Sequence, residues 1–288
     1  MFIKLKWIFC ITLLLCNKLA LSAPEFSKGP GLLFLVGSSA EFSIENKFIN
    51  YEKKHEYNSK LAIYAHGGAG LTDADKLRLA LFKNMGFDTL SFDAFAMNEL
   101  DGIWVNRNLT DRAKQDLIMN VLVGAIDAML KNSKYTDVVL YGQSNGAKVI
   151  INVLKKKENF PQIRLILSEA PPPSGYALPQ DIKIPTFIFY GEKDNWAGTS
   201  EGDLMWKRKY PHQQFSISEW VDLQSSKGQP VKMIFYPNAG HSFHSGKLTS
   251  VPRNMAGIGV ITGNLGANDK DRQQYEEDIK RIVADYVK

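Results

Sequence analysis

Short apolar segments alternate with longer segments of helical periodicity over most of this chain. The apolar segments predict buried strands at residues 61–65, 87–92, 138–141, 164–167, 186–190 and 232–236. Apolar residues at helical spacing predict helices at residues 73–85, 110–130, 145–157 and 269–287. Strands that are apolar on both faces and alternate with helices are typical of a mostly parallel central sheet with helices on both faces, which is an α/β fold.

Local signals mark where these elements begin and end. Thr72 predicts the N-cap of the first helix, with Asp75 at the third helical position, and Gly86 ends that helix. Four stretches show neither period and are expected to be irregular: residues 95–109, 171–184, 211–230 and 242–268. Long loops on a rigid sheet are where binding determinants usually lie.

The first 23 residues have the pattern of a secretory signal peptide. Lys4 and Lys6 precede an apolar run at residues 7–16, and Ser22 and Ala23 offer small residues for cleavage. The run is shorter than the roughly 20 residues of a transmembrane helix, although an uncleaved anchor is the alternative interpretation. We therefore expect a periplasmic or secreted protein with no stable membrane association after cleavage.

Residues 24–288 are then predicted to form a single domain. Cys10 and Cys16 both lie in the leader, so the mature chain would contain neither a thiol nor a disulfide. The whole chain has a formal net charge of +5, and the three lysines that leave with residues 1–23 bring it close to +2. This charge argues against nucleic acid as a partner. The sequence predicts no particular oligomeric state.

The strongest chemical signal is the pentapeptide Gly142-Gln143-Ser144-Asn145-Gly146, between a predicted strand and a predicted helix. It fits the G-x-S-x-G nucleophile elbow, in which a sharp turn exposes the serine hydroxyl at the top of a sheet. A plain strand–helix turn is the structural alternative. Ser144 is therefore the candidate nucleophile.

A second glycine-rich turn, His66-Gly67-Gly68-Ala69-Gly70, follows an earlier strand. Backbone N–H groups in such a turn, together with that of Asn145, can form an oxyanion hole. Gly68 is the first choice for the second donor and Gly67 is the alternative. A phosphate-binding loop is disfavoured because no Lys-Ser/Thr pair follows. His66 itself is interpreted as a structural residue that braces the loop.

The order of polar residues completes a candidate triad. Asp194 follows the strand at 186–190, and His241 follows the strand at 232–236, so the chain order is Ser, Asp, His. Both residues lie at the carboxyl ends of predicted parallel strands, where open α/β sheets place their sites. His241 would act as the general base, and Asp194 would orient it.

Several other residues compete for these roles. Glu192 and Glu169 are alternatives to Asp194, and His244 is an alternative to His241. Other polar residues are interpreted as structural or as surface positions: His55, His212 and Asp93. Four aromatic residues are placed near the predicted mouth, where packing is the more common role: Trp104, Tyr176, Trp196 and Phe243.

As a set, these motifs resemble the dienelactone hydrolase family of α/β-hydrolases. The resemblance runs from about Leu61 to the C terminus and includes residues 190–194 and 236–243. It implies the α/β-hydrolase fold and a carboxylic ester hydrolase that acts on a small-molecule ester with no metal and no organic cofactor. Members named for dienelactone carry cysteine as nucleophile, whereas this chain has Ser144, which favours a general carboxylesterase. A peptidase or lipase on the same triad, or a non-catalytic binding protein of this fold, are the alternatives.

Overall fold

A seven-stranded sheet lies at the centre of the computed structural model, which describes residues 43–131, 134–155, 160–196, 216–255 and 259–287. Its strands are β1 Ile49–Glu52, β2 Lys60–Ala65, β3 Asp88–Phe92, β4 Asp137–Gln143, β5 Ile163–Glu169, β6 Thr186–Gly191 and β7 Val231–Tyr236. Their spatial order is β1-β3-β2-β4-β5-β6-β7. Only β1 runs antiparallel to its neighbour, so the predicted mostly parallel sheet is confirmed.

Helices cover both faces of this sheet. Their bounds are α1 Asp73–Asn84, α2 Gly102–Asn108, α3 Asp111–Leu130, α4 Asn145–Asn152, α5 Ile217–Ser226 and α6 Asp269–Tyr286. Successive side chains of a strand point to opposite faces, so each strand contributes to two cores. Leu61 and Ile63 of β2 pack with α3, α4 and α5, whereas Ala62 and Tyr64 pack with α1 and α6.

The predicted helix starts agree closely with the structure, whereas the helix expected at residues 145–157 ends at Asn152 and is followed by a 3₁₀ turn at Val153–Lys155. Thr72 and Asp75 form a reciprocal capping box at the start of α1, and Gly86 follows that helix with a φ of 88°. Thr110 caps α3 by accepting a hydrogen bond from the backbone N–H of Ala113. The side chain of Asn268 likewise caps α6. These residues determine the helix ends because they satisfy backbone N–H groups that have no partner inside the helix.

Three of the four stretches expected to be irregular contain regular structure. Residues 95–109 hold a 3₁₀ turn at Ala96–Asn98 and helix α2, capped by Asp101. Residues 211–230 include α5, and residues 242–268 form the antiparallel strands β8 Thr249–Met255 and β9 Gly259–Leu265. The sequence pattern does not predict this hairpin, because most of its described side chains are exposed or half-buried and apolar and polar residues do not alternate along it. Strand β1 was also missed, because it is only four residues long.

The predicted signal peptide, residues 1–23, lies outside the described residues. Within the described part of the chain, none of the helices has the length and the apolar character needed to cross a membrane.

Candidate active site

Ser144 lies in the sharp turn between β4 and α4. Its backbone has φ 53° and ψ −119°, a region that residues with a Cβ rarely adopt. Such a conformation costs of order 1–3 kcal/mol and persists only when the surrounding structure imposes it. The backbone N–H of Ser144 donates to the carbonyl oxygen of Glu169 at 2.8 Å, which ties the turn to the neighbouring strand β5.

The glycines on either side of Ser144 are required by close backbone packing. A Cβ added at Gly142 would lie 2.7 Å from the backbone of Gly146. A Cβ added at Gly146 would lie 2.1 Å from the carbonyl oxygen of Ala65 at the end of β2. The two glycines therefore let the turn close and let α4 begin directly against β2.

Ser144, His241 and Asp194 come together at the carboxyl end of the sheet. His241 Nε2 is 2.9 Å from Ser144 Oγ, and His241 Nδ1 is 2.9 Å from Asp194 Oδ2. An ionised carboxylate can only accept, so Nδ1 carries the hydrogen and Nε2 is the acceptor for the serine hydroxyl. Asp194 is fully buried and His241 is nearly so, whereas Ser144 is partly exposed. Only the serine end of this relay is accessible to a substrate.

The β8–β9 hairpin holds the loops that carry Asp194 and His241. The carbonyl oxygen of Asn264 accepts a hydrogen bond from the backbone N–H of His241 at 2.8 Å. The side chain of Asn264 donates to the carbonyl oxygen of Lys193 at 2.8 Å, and its backbone N–H donates to Asn195 Oδ1 at 2.9 Å. One residue of β9 thus fixes the loop before Asp194 and the loop that ends in His241.

Trp196 covers the inner side of the histidine. Its ring meets the imidazole of His241 edge-on, with ring centroids 4.5 Å apart, and its backbone N–H donates to Asp194 Oδ1 at 2.9 Å. A Cβ added at Gly263 of β9 would lie 2.8 Å from the Trp196 ring, so the hairpin backs the indole closely. The ring limits the freedom of the imidazole and keeps water from that side of the Asp194–His241 pair.

The glycine-rich turn after β2 lies beside the serine. A Cβ added at Gly67 would lie 3.4 Å from Ser144 Cβ and 2.2 Å from Gln143 Oε1, and one at Gly68 would lie 3.0 Å from Asn145 Nδ2. Within the described residues, the backbone N–H groups of Gly68 and Asn145 meet no acceptor. Gly67 therefore lies beside Ser144 and Gly68 beside Asn145, and an oxyanion hole formed by these groups stays a prediction.

His66 and Asp93 have the structural roles expected of them. His66 is fully buried, its Nδ1 lies 2.7 Å from the carbonyl oxygen of Gly67, and its Nε2 accepts from the backbone N–H of Ala94. Burial lowers the pKa of His66, which keeps the ring neutral. Asp93 Oδ1 accepts from the backbone N–H groups of Phe95 and Ala96 and so caps the turn after β3.

The alternative triad residues lie elsewhere. Glu169 is bound to Arg78, Glu192 is exposed, and His244 Nε2 is 3.0 Å from Glu276 Oε1 on α6. The side chains of these three residues neither bind Ser144 nor replace Asp194 at the histidine. His55 is exposed, as expected, and His212 lies outside the described residues.

The other three aromatic residues differ in exposure. Trp104 of α2 is partly exposed, and the hydroxyl of Tyr176 donates to Asp116 Oδ1 at 2.6 Å. Phe243 is fully buried and stacks on Tyr275, with centroids 4.5 Å apart. Phe243 therefore belongs to the core and does not line the mouth.

The structure is similar to several solved structures over most of their length. One is a dienelactone hydrolase from Anabaena variabilis ATCC 29413, with TM-score 0.55, 14% identity, and coverage of 85% of this chain and 95% of that one. Another is Est1E from Butyrivibrio proteoclasticus with bound ferulic acid, with TM-score 0.53, 12% identity, and coverage of 83% and 94%. A dienelactone hydrolase-like promiscuous phosphotriesterase from metagenomic libraries matches with TM-score 0.50, 13% identity, and coverage of 80% and 87%.

The chain has the α/β-hydrolase fold. The fold expected from the sequence motifs is thereby confirmed. No protein-family model and no curated protein matches the sequence. The similarity is one of architecture, because the identities of 14% and 12% to the first two structures leave few residues in common.

In the α/β-hydrolase fold of this chain, several residues near the site carry no sequence motif. Arg78 and Asn264 each bind a loop of the site and Asn195 binds strand β9, yet each belongs to a residue type that is usually exposed. Their contacts depend on which loops meet at the sheet edge, which no local pattern encodes. Among the described residues, no group of three or more His, Cys, Asp or Glu side chains is arranged to hold a metal ion.

Proposed function

We propose that this protein is a serine hydrolase that cleaves carboxylic esters through an acyl intermediate on Ser144. The observation that carries the proposal is the continuous relay from Ser144 Oγ to His241 Nε2 and from His241 Nδ1 to Asp194 Oδ2, with 2.9 Å at each step. A serine hydroxyl is a weak nucleophile by itself and is activated by an adjacent general base that a third group orients.

In the first half of the reaction, Ser144 Oγ attacks the carbonyl carbon of the ester while its proton passes to His241 Nε2. Asp194 stabilises the imidazolium through the hydrogen on Nδ1. The carbonyl oxygen becomes an oxyanion, which we expect the N–H groups of Asn145 and Gly68 to bind. When the tetrahedral intermediate collapses, the alcohol leaves with the proton from His241, and the acyl group stays on Ser144.

In the second half, water attacks the acyl carbon and gives its proton to His241. Collapse of the second tetrahedral intermediate releases the carboxylic acid and returns the proton to Ser144 Oγ. No group outside the chain and the water is consumed, so the cycle balances with ester and water as reactants, and acid and alcohol as products.

Gly68 is favoured over Gly67 as the second oxyanion donor. The carbonyl oxygen of Gly67 lies 2.7 Å from His66 Nδ1, and the peptide bonds of the described residues are all trans. The C=O and the N–H of a trans peptide point in opposite directions. The N–H of Gly68 is therefore directed away from the His66 ring and remains available to a ligand.

An ester substrate is supported by the structures of similar fold. Their printed names include a dienelactone hydrolase, Est1E with bound ferulic acid, and an esterase from Pyrococcus furiosus. Serine in place of the cysteine that dienelactone-specific members carry favours a general carboxylesterase.

Labelling with a fluorophosphonate tests the proposal directly. We expect a single adduct on Ser144, identified by peptide mass spectrometry, together with turnover of p-nitrophenyl acetate. The Ser144→Ala variant should show neither, with an unchanged far-UV circular dichroism spectrum. A wild-type protein that is neither labelled nor active would point to the non-catalytic binding protein. Faster cleavage of amides or of long-chain emulsified esters would point to the peptidase or the lipase.

The proposal includes export to the periplasm or the exterior. Its basis is the N-terminal pattern of residues 1–23. N-terminal sequencing of the protein recovered from secreting cells should begin at Pro24, or at Ala23 if cleavage follows Ser22. A chain that retains Met1 and stays with the membrane fraction would support the uncleaved anchor.

A further inference from the structure

A fully buried ion pair lies beneath the candidate site, on the face of the sheet covered by α1 and α6. Arg78 of α1 and Glu169 at the end of β5 have side chains that are 1% and 0% exposed. Arg78 Nε donates to Glu169 Oε2 at 2.8 Å, and Arg78 Nη2 lies 2.5 Å from Glu169 Oε1. The pair is therefore bidentate, which fixes the relative orientation of the two side chains.

The carboxylate of Glu169 is saturated with donors. Oε2 also accepts from the hydroxyls of Tyr141 and Tyr275, each at 2.8 Å, and Oε1 accepts from the backbone N–H of Phe243 at 3.2 Å. Burial alone would raise the pKa of Glu169, but the charge and the hydrogen bonds of Arg78 outweigh it and lower the pKa to about 2. The pair is thus fully charged at neutral pH.

This pair contacts both ends of the candidate relay. Glu169 accepts the backbone N–H of Ser144 through its own carbonyl oxygen at 2.8 Å. On the other side, Arg78 Nη2 donates to Ser242 Oγ at 2.8 Å, and Glu169 Oε1 holds the N–H of Phe243. Ser242 and Phe243 directly follow His241, so the charged side chains hold the loop of the base, and the backbone of Glu169 holds the nucleophile.

The energetics favour a role other than stability. Moving two charges out of water is so costly that a buried ion pair is often no more stable than well-packed apolar residues of the same volume. The reaction rate, in contrast, depends directly on the geometry that the pair fixes, because a misplacement of about 1 Å in a reacting group can cost on the order of 100-fold in rate.

We infer that Arg78, Glu169 and Ser242 are positioning residues that set the place of His241 relative to Ser144. This inference rests on the proposed function of the same relay. None of the three side chains touches the relay atoms, so they act on His241 through the loop that follows it, by the Ser242 hydroxyl and the N–H of Phe243.

Two single-hydroxyl variants form a matched test. Ser242→Ala removes the hydroxyl through which Arg78 holds the loop of residues 241–243, which we call the histidine loop. It also removes a contact to Ser245 Oγ and leaves the ion pair intact. Tyr275→Phe removes a hydroxyl from the opposite oxygen of Glu169 and keeps the ring on which Phe243 stacks. Each variant removes a hydrogen bond of the same cluster, but only the first acts on the histidine loop.

We expect kcat for p-nitrophenyl acetate to fall about tenfold in Ser242→Ala with little change in KM, because the barrier changes and ground-state binding does not. The rate of fluorophosphonate labelling should fall in parallel. Tyr275→Phe should keep kcat within twofold of wild type, and thermal unfolding should show a similar loss of stability in both variants. Arg78→Met should lower kcat further, if it folds.

The outcomes separate the inference from the proposed function. Equal kcat values in Ser242→Ala and wild type, or equal losses in Ser242→Ala and Tyr275→Phe, would overturn the positioning role and leave the ion pair as a purely structural feature. A wild-type protein that is neither labelled nor active would refute the proposed function, and the positioning role with it.

Discussion

The strain at Ser144 predicts an unusual order of stability between two variants. Ser144→Ala and Ser144→Gly both remove the hydroxyl and its hydrogen bond to His241, so both should be inactive. They differ only in the Cβ, which Ala retains in a backbone conformation with φ 53°. At an ordinary position, glycine is less stable than alanine by roughly 0.5–1 kcal/mol because it loses more chain entropy on folding.

At Ser144 the sign should reverse. Removal of the Cβ relieves a conformational cost of about 1–3 kcal/mol. The entropy cost of glycine offsets part of this gain, so Ser144→Gly should be more stable than Ser144→Ala by about 1 kcal/mol. For a domain of this size, that difference corresponds to a Tm roughly 2–4 °C higher.

Urea unfolding followed by far-UV circular dichroism measures this difference. Ala128→Gly is a suitable control, because Ala128 is exposed within α3, and the substitution should lower the free energy of unfolding by about 1 kcal/mol. If Ser144→Gly proved less stable than Ser144→Ala, as in the control, the serine would not be strained. The surrounding fold would then not force Ser144 into an unfavourable conformation.

Three further predictions concern the turn, the relay and the ion pair. Gly146→Ala should destabilise the protein by about 3 kcal/mol in urea unfolding, because the new Cβ would lie 2.1 Å from the carbonyl oxygen of Ala65; unchanged stability would contradict this packing. Asp194→Asn should lower kcat by about 10⁴ with little change in KM, since an amide can reverse the tautomer of His241, and a loss below tenfold would argue against Asp194 as its partner. The folded-state pKa of Glu169, about 2, lies below the ordinary value of 4.5, so its stabilising contribution is present above pH 4.5 and lost as the pH falls toward 2. The stability of wild type should therefore fall through that range more steeply than that of Glu169→Gln, and parallel acid unfolding curves would refute this assignment.

The central part of the fold could be predicted because its signals are local. Strands such as β4 and β6 are buried along all or nearly all of their length and appear as apolar runs. Helices α1 and α3 begin after Thr72 and Thr110, residues of a type that commonly caps helices and can be recognised in the sequence. In contrast, helix α5 lies in a stretch expected to be irregular, although Ser216 and Glu219 form a capping box, which is a local signal for the start of a helix.

The candidate site likewise contains residues that local motifs predict and residues that they do not. Short motifs identify the candidate relay in the order Ser144, Asp194, His241, and they also identify the glycines of the turn. This is possible because each of these residues must follow a particular strand of the sheet. Their catalytic roles stay predictions that the labelling experiment tests. The sequence left Glu169 open as a triad carboxylate, and the structure pairs it with Arg78 instead.

The sequence by itself determined the class of fold, the elbow and the residues of the relay, because these depend on periodicity, turn chemistry and chain order. Only the tertiary structure decided what holds the relay in place. Arg78 and Glu169 are 91 positions apart, and Asn264 and Lys193 are 71 apart. Such contacts form because parallel strands bring their carboxyl ends to one edge of the sheet, and no local pattern specifies which loops meet there.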